Sequence, residues 1–237
     1  MSEYIFDLGF HNGDDTAYYL HKGFKVIAVE ANPNLANFGR IRFAKEILSE
    51  RLVLLNNAIS NNQGHVAFYI HPQNTDWSSC IKNKVTWDGS TAIEVLIRAI
   101  SLKELYRFGE PYYMKVDIEG NDIIVAKQLL ADIKSFRPKF VSFELSRFDY
   151  YEIFSYLHVA GYNRFQLVNQ AMHEDRCKGT DFMFTKFSSG PFGVYLPADK
   201  WLGIDEALTR YMKYKELKGI DNQELALGWV DLHATCE

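Results

Sequence analysis

Short apolar runs rich in β-branched residues recur along the chain, separated by stretches whose apolar residues fall three and four apart. Tyr4-Ile5-Phe6-Asp7-Leu8 reads as a first strand, broken by Gly9. Residues 14–22 read as a helix, with Asp14 or Asp15 at its start and Gly23 past its end. Lys25–Glu30 is a second strand closed by Asn32-Pro33, and a polar helical stretch follows to about Glu50. Leu52–Leu55 is a third strand, and Val66–Ile70 another after the turn Asn61–Gly64. Residues 71–99 are polar and read mostly as loop. Tyr112–Asp117 and Phe140–Leu145 are further strands, joined by a helix from about Asn121-Asp122 to before Arg137-Pro138. Tyr150, Ile153, Phe154 and Leu157 share one face of a helix over 149–160. Strands over 163–168 and 181–186 follow with no helical pattern between them, which predicts an antiparallel hairpin. From Ser188 the tail is irregular apart from a helix over about 205–218, with Asp205 as N-cap.

Strands alternating with helices predict an α/β fold, a mostly parallel sheet covered on both faces. The chain reads as one domain over 1–187, with 188–237 a C-terminal extension packed on it.

Composition narrows the picture. Of 237 residues, 47% are hydrophobic and 24% charged, which excludes a disordered chain. No apolar run approaches the ~18 residues of a membrane span, and the N-terminus lacks the pattern of a secretory signal. Cys80, Cys177 and Cys236 are scattered, so neither a disulfide framework nor a zinc site is expected, and a cytoplasmic location is. The net charge of −4 gives no support to a nucleic-acid partner. No membrane partner is expected either.

Two constellations carry chemistry. Asp7-Leu8-Gly9-Phe10-His11-Asn12-Gly13 joins the first strand to the first helix, and Glu30 ends the next strand. A carboxylate about 20 residues beyond such a turn is spaced to accept ribose hydroxyls of an adenosine cofactor. A dinucleotide would want a glycine where His11 stands, and Asp14 and Asp15 would repel its pyrophosphate. S-adenosylmethionine, with a cationic sulfonium and no phosphate, suits an acidic entrance. The second constellation, Lys115-Val116-Asp117-Ile118-Glu119-Gly120-Asn121, sets two carboxylates at a strand end beside the first. They could orient an amine, accept a proton or hold a cation; the alternative, a helix-capping turn, suits Glu119 better than Asp117. Two other classes stay open: a NAD-dependent oxidoreductase on a Rossmann sheet, and a non-catalytic S-adenosylmethionine-binding protein.

Five segments in order, residues 7–16, Val29–Pro33, Asn57–Ser60, Met114–Gly120 and Ser142–Glu144, resemble the FkbM family of S-adenosylmethionine-dependent methyltransferases. The tail segments Ser188–Gly193 and Trp229–Ala234 resemble those of bacterial members with an extra C-terminal segment. The resemblance implies a Rossmann-like class I methyltransferase fold, a seven-stranded sheet with the last strand antiparallel, and O-methylation of a hydroxyl on a small molecule or saccharide. It implies that Asp7, Gly9 and Gly13 shape the loop at the methionine end, with Phe10, His11 and Thr16 in the same motif. Glu30 would take the ribose, with Asn32 beside it, and Asn57 or Ala58 would meet the adenine. Asp117 would lie nearest the amine and the methyl. Candidate bases are Asp117, Glu119, Glu144 and His173. No tightly bound metal is expected. The chain opens directly on strand one, so what covers the cofactor is left undefined.

Overall fold

The computed structural model describes residues 3–146, 149–171, 179, 181–218 and 228–237. The strands are β1 (Tyr4–Leu8), β2 (Lys25–Glu30), β3 (Leu52–Asn56), β4 (Ala58–Ile59), β5 (His65–Ile70), β6 (Ile93–Ile100), β7 (Tyr113–Val116), β8 (Phe140–Glu144), β9 (Arg164–Asn169) and β10 (Val230–Thr235). The helices are α1 (Asp14–His21), α2 (Pro33–Arg42), α3 (Ala44–Leu48), α4 (Lys82–Val85), α5 (Leu102–Leu105), α6 (Asp122–Asp132), α7 (Tyr150–Val159) and α8 (Ile204–Lys218).

Seven strands form the main sheet in the order β3-β2-β1-β7-β8-β10-β9. β1, β2, β3, β7 and β8 pair in parallel, and β10 runs antiparallel to both β8 and β9. The inner strands are apolar on both faces because both faces are covered. Phe6, Leu8, Ile27, Val29, Met114 and Val116 meet Val125 and Leu129 of α6 and Ile153 and Leu157 of α7 on one side. The alternate residues Ile5, Val26, Ala28 and Tyr113 meet Tyr18, Tyr19 and Leu20 of α1 on the other. The parallel strands therefore end together at one edge, and β1 with β7 sets the turn after Leu8 beside Asp117.

Three expectations are corrected. The last part of the 71–99 stretch is not loop, since β6 begins at Ile93 and forms a second sheet, ordered β4-β6-β5. Its run IEVLIRAI sends Ile97 inward and leaves Glu94, Leu96 and Arg98 exposed, the period of a half-buried strand. Residues 181–186 are not a strand. Phe182 and Phe184 pack instead against the Tyr18 ring of α1, at 5.1 and 4.7 Å between centroids. The antiparallel partner of β9 is β10, so the segment after 188 supplies a strand of the main sheet, inserted between β8 and β9. The helical stretch up to Glu50 is two helices, parted at Phe43.

Candidate active site

A cavity of about 760 Å³ opens along the edge where β1, β2, β7 and β8 end. Gly9, His11, Glu30, Ala58, Asp117 and Glu144 are among its lining residues. This is the crevice outside the carboxyl ends of the strands, where open α/β sheets hold ligands.

Glu30 stands at the end of β2 and is buried. One carboxylate oxygen accepts from the His11 amide and the other from the Asn32 amide, each at 2.7 Å. A carboxylate has about four acceptor positions, so these bonds fix Glu30 and leave it capacity toward the cavity. Burial pushes its carboxyl up to about 7, against the two amides. His11 reaches this position through a left-handed backbone, φ 51°. Its ring Nε2 lies 2.7 Å from Asp76 Oδ1 and 3.1 Å from Thr75 Oγ1, so it ties the turn Thr75–Trp77 across the opening. Burial works against a charged His11, but the Asp76 carboxylate outweighs it and raises the pKa.

Gly9 adopts φ +98°, and a Cβ there would fall 1.7 Å from the carbonyl oxygen of Asp117. The glycine is required by the approach of two strand ends. Phe10 is buried, its ring filling space left by Gly13 and Gly39, where a Cβ would meet it at 2.5 Å. Asp7 does not face the cavity: it is fully buried, accepts from Thr16 Oγ1 at 2.6 Å and lies 3.8 Å from Lys115 Nζ. Asn32 caps α2 by accepting from the Asn34 amide. Asp7, Gly13, Thr16 and Asn32 thus support the loop from behind, whereas Gly9, Phe10, His11, Glu30, Asn57, Ala58 and Asp117 line the cavity. His173 lies outside the described residues.

Lys115 is the main residue of the site for which the motifs suggest no role. Its Nζ is 3.2 Å from the Gly9 carbonyl, 3.3 Å from Asp15 and 3.4 Å from Asp117. Burial disfavours the charged amine, but the surrounding aspartates hold its pKa well above the ordinary lysine value. A lysine inside the apolar run Tyr-Tyr-Met-Lys-Val was the available signal, because a buried charge requires partners. Asp14 likewise pairs with Arg42 at 2.7 Å. The two carboxylates at the start of α1 are therefore paired with cations, which weakens their expected repulsion of a pyrophosphate.

Asp117, Glu119 and Glu144 converge, with one oxygen of each within 4.8 Å of the others. Glu119 does not continue the strand: its backbone is left-handed, φ 56°, and its carbonyl accepts from Ser79 Oγ at 2.6 Å. Its carboxylate meets Lys84 Nζ at 2.8 Å. Burial pushes Glu119 up to about 7, with Lys84 opposing. Burial, then Glu119 and Asp117, push Glu144 well above the carboxylate range. The amides of Ile118 and Gly120 are taken by Asp122, at 3.1 and 2.9 Å, so the turn before α6 does not need Glu119 as its cap. Carboxylates this close can share a proton or hold a divalent cation.

The cover over the cavity is also legible. Residues 185–189 form a strap across α1: Thr185 Oγ1 donates to Asp14 at 2.6 Å and the Ser189 amide to Asp15 at 2.7 Å. The Phe187 ring packs against His11, 5.3 Å between centroids. Trp77 and Ser78 line the other side with Phe68. His233 lies buried in β10, its ring parallel to that of Tyr113 at 6.3 Å, and does not line the cavity.

Among solved structures, the chain is similar to precorrin-6y C5,15-methyltransferase from Geobacter metallireducens GS-15, at 10% identity and a TM-score of 0.44, covering 100% of this chain and 80% of that one. It is also similar to the C-terminal domain of precorrin-6Y C5,15-methyltransferase from Rhodobacter capsulatus, at 12% identity and TM-score 0.40, covering 71% and 66%. A third is the human methyltransferase 10 domain containing protein, at 7% and 0.44, covering 100% and 73%. No curated protein matches. The family model described as the methyltransferase FkbM domain matches residues 7–165, from the first strand into β9 and through every motif of the cavity wall up to Glu144. The chain belongs to the FkbM family of methyltransferases, whose fold and membership imply use of S-adenosylmethionine.

Proposed function

We propose that this chain transfers the methyl group of S-adenosylmethionine to a hydroxyl oxygen of a small molecule or saccharide. The observation that carries the hydroxyl assignment is the convergence of Asp117, Glu119 and Glu144 within 4.8 Å. An alkyl hydroxyl is a poor nucleophile until its proton is taken, and a base of raised pKa suits that task near neutral pH.

The cavity fits the cofactor. Its volume is ample, Glu30 is oriented with acceptor capacity left over, and the Gly9 turn brings two strand ends together without a side chain between them. When bound, S-adenosylmethionine supplies an electrophilic methyl on a cationic sulfonium. Glu30 binds the ribose hydroxyls, and Ala58 and Phe68 enclose the adenine. Asp117, held at 3.4 Å by Lys115, faces the amine. The Glu119–Glu144 pair, ionised by one charge, takes the acceptor proton as a unit, with Lys84 setting the charge of the pair. Trp77 and Trp229 line the cavity while 37% and 47% exposed, which suits the apolar face of a sugar ring or a comparable small molecule.

The test is a panel of hydroxyl and amine acceptors with the purified chain, followed by Glu144→Gln. Hydroxyl methylation that falls about a hundredfold or more in kcat, with cofactor affinity unchanged, supports the reading. Methylation confined to amines would overturn the hydroxyl assignment. Loss in EDTA with recovery in magnesium would mean that the three carboxylates serve a cation instead.

A further inference from the structure

Three lysines line the cavity: Lys84, Lys115 and Lys186. Two of them are committed. Lys84 is paired with Glu119, and Lys115 is enclosed by Asp7, Asp15 and Asp117. Lys186 is different. Its ammonium packs over the Phe187 ring, 4.6 Å from the centroid, and among the described residues it joins no ion pair with a carboxylate. It lies close enough to Asp76 to assist His11, the larger cause, in lowering that carboxyl.

Its backbone is held from both sides. Thr185 is bonded to Asp14, Phe187 rests on His11, and Ser189 is bonded to Asp15. His11 lies in the turn between β1 and α1, and Asp14 and Asp15 are the first two residues of α1. The strap therefore holds Lys186 in the cavity wall beside that turn, with its ammonium over the ring that rests on His11.

This inference rests on the cofactor reading above. S-adenosylmethionine carries two positive groups, the sulfonium and the ammonium, and one negative group, the carboxylate of its amino-acid end. The carboxylates of the cavity can answer the first two. The third needs a cation that is not already spent, placed at the β1–α1 turn. We propose that Lys186 binds the carboxylate of the cofactor's amino-acid end, so that the strap recognises the amino-acid portion while Glu30 recognises the ribose. An anionic acceptor is the competing occupant of the same ammonium, and the ligands below separate the two.

The experiment is calorimetry on the full chain with S-adenosylhomocysteine and with its decarboxylated analogue, which keeps the adenosine, sulfur and amine. Lys186→Met should weaken S-adenosylhomocysteine by about tenfold, the cost of losing a charge-assisted contact at an exposed site. The decarboxylated analogue should bind Lys186→Met as well as it binds the wild-type chain. Lys186→Arg should restore most of the loss for S-adenosylhomocysteine. Equal weakening of both ligands would mean that Lys186 acts through the packing of the strap, and no weakening of either would free it for an acceptor; both results overturn the proposal. Failure of the wild-type chain to bind S-adenosylhomocysteine would overturn the cofactor reading and this assignment together.

Discussion

Gly9 and Asp117 meet backbone to backbone: a Cβ on Gly9 would fall 1.7 Å from the Asp117 carbonyl oxygen, in a residue whose φ is +98°. No rotamer change relieves a clash with a backbone carbonyl just past the end of a strand. Gly9→Ala should cost about 3 kcal/mol or more, combining left-handed strain with overpacking. Urea unfolding measures it, and a loss under about 1 kcal/mol would mean that the two strand ends can part.

The ligand-free protein should lose stability as pH rises from about 5 to about 8. Glu30 and Glu119 stand near 7 against an ordinary 4.5, and Asp7 and Asp122 near 6 against 3.8. Each keeps its proton when folded at a pH where the unfolded chain has released it. His11, raised by Asp76, acts with the same sign, since its contribution is lost as pH climbs through its folded value. The unfolded chain thus binds fewer protons across this window, and the slope of stability with pH is negative. Thermal unfolding at both ends of the window tests the sign.

Lys84→Met should move the acid limb of the pH–rate profile upward by about one pH unit. The substitution removes the cation 2.8 Å from Glu119, so ionisation of the neighbouring carboxylates becomes harder. A profile that keeps its midpoint would detach Glu119 and Glu144 from the rate-controlling proton.

His11→Gly separates stability from binding. The change relieves a left-handed residue, worth about 1–2 kcal/mol, and gives up a half-exposed ion pair worth about 0–1 kcal/mol. The melting temperature should hold or rise. Affinity for S-adenosylhomocysteine should still fall several-fold, because the turn Thr75–Trp77 loses its tie across the opening. Unchanged affinity would reduce that tie to surface packing.

Much of this arrangement is legible in the chain. β1 and β2 announce themselves because both faces are buried, so the apolar runs are nearly unbroken, and Gly9 and Glu30 mark their ends. The 71–99 stretch misleads because its polar first half masks the strand beginning at Ile93. The seventh strand is harder still. Val230–Thr235 alternates, but the aromatic run Phe182-Met183-Phe184 is the more apolar segment and lies nearer to β9 in the chain, and nothing local tells which of the two has β8 and β9 on either side. The motifs around the cavity were visible as residue types. What they do not carry is direction: Asp7 and Thr16 turn toward each other behind the loop, and Lys115 gathers carboxylates that lie far apart along the chain.

β9 leaves the ribosome well before β10, yet β10 is the strand that joins β9 to β8. For that interval β8 offers an open edge with no native partner, and β9 has nowhere correct to go. A direct β8–β9 pairing would be a kinetic trap that has to be pried apart to admit the later strand. Vectorial synthesis therefore works against this end of the sheet, and its refolding should be slow, governed by a contact between segments distant in the chain.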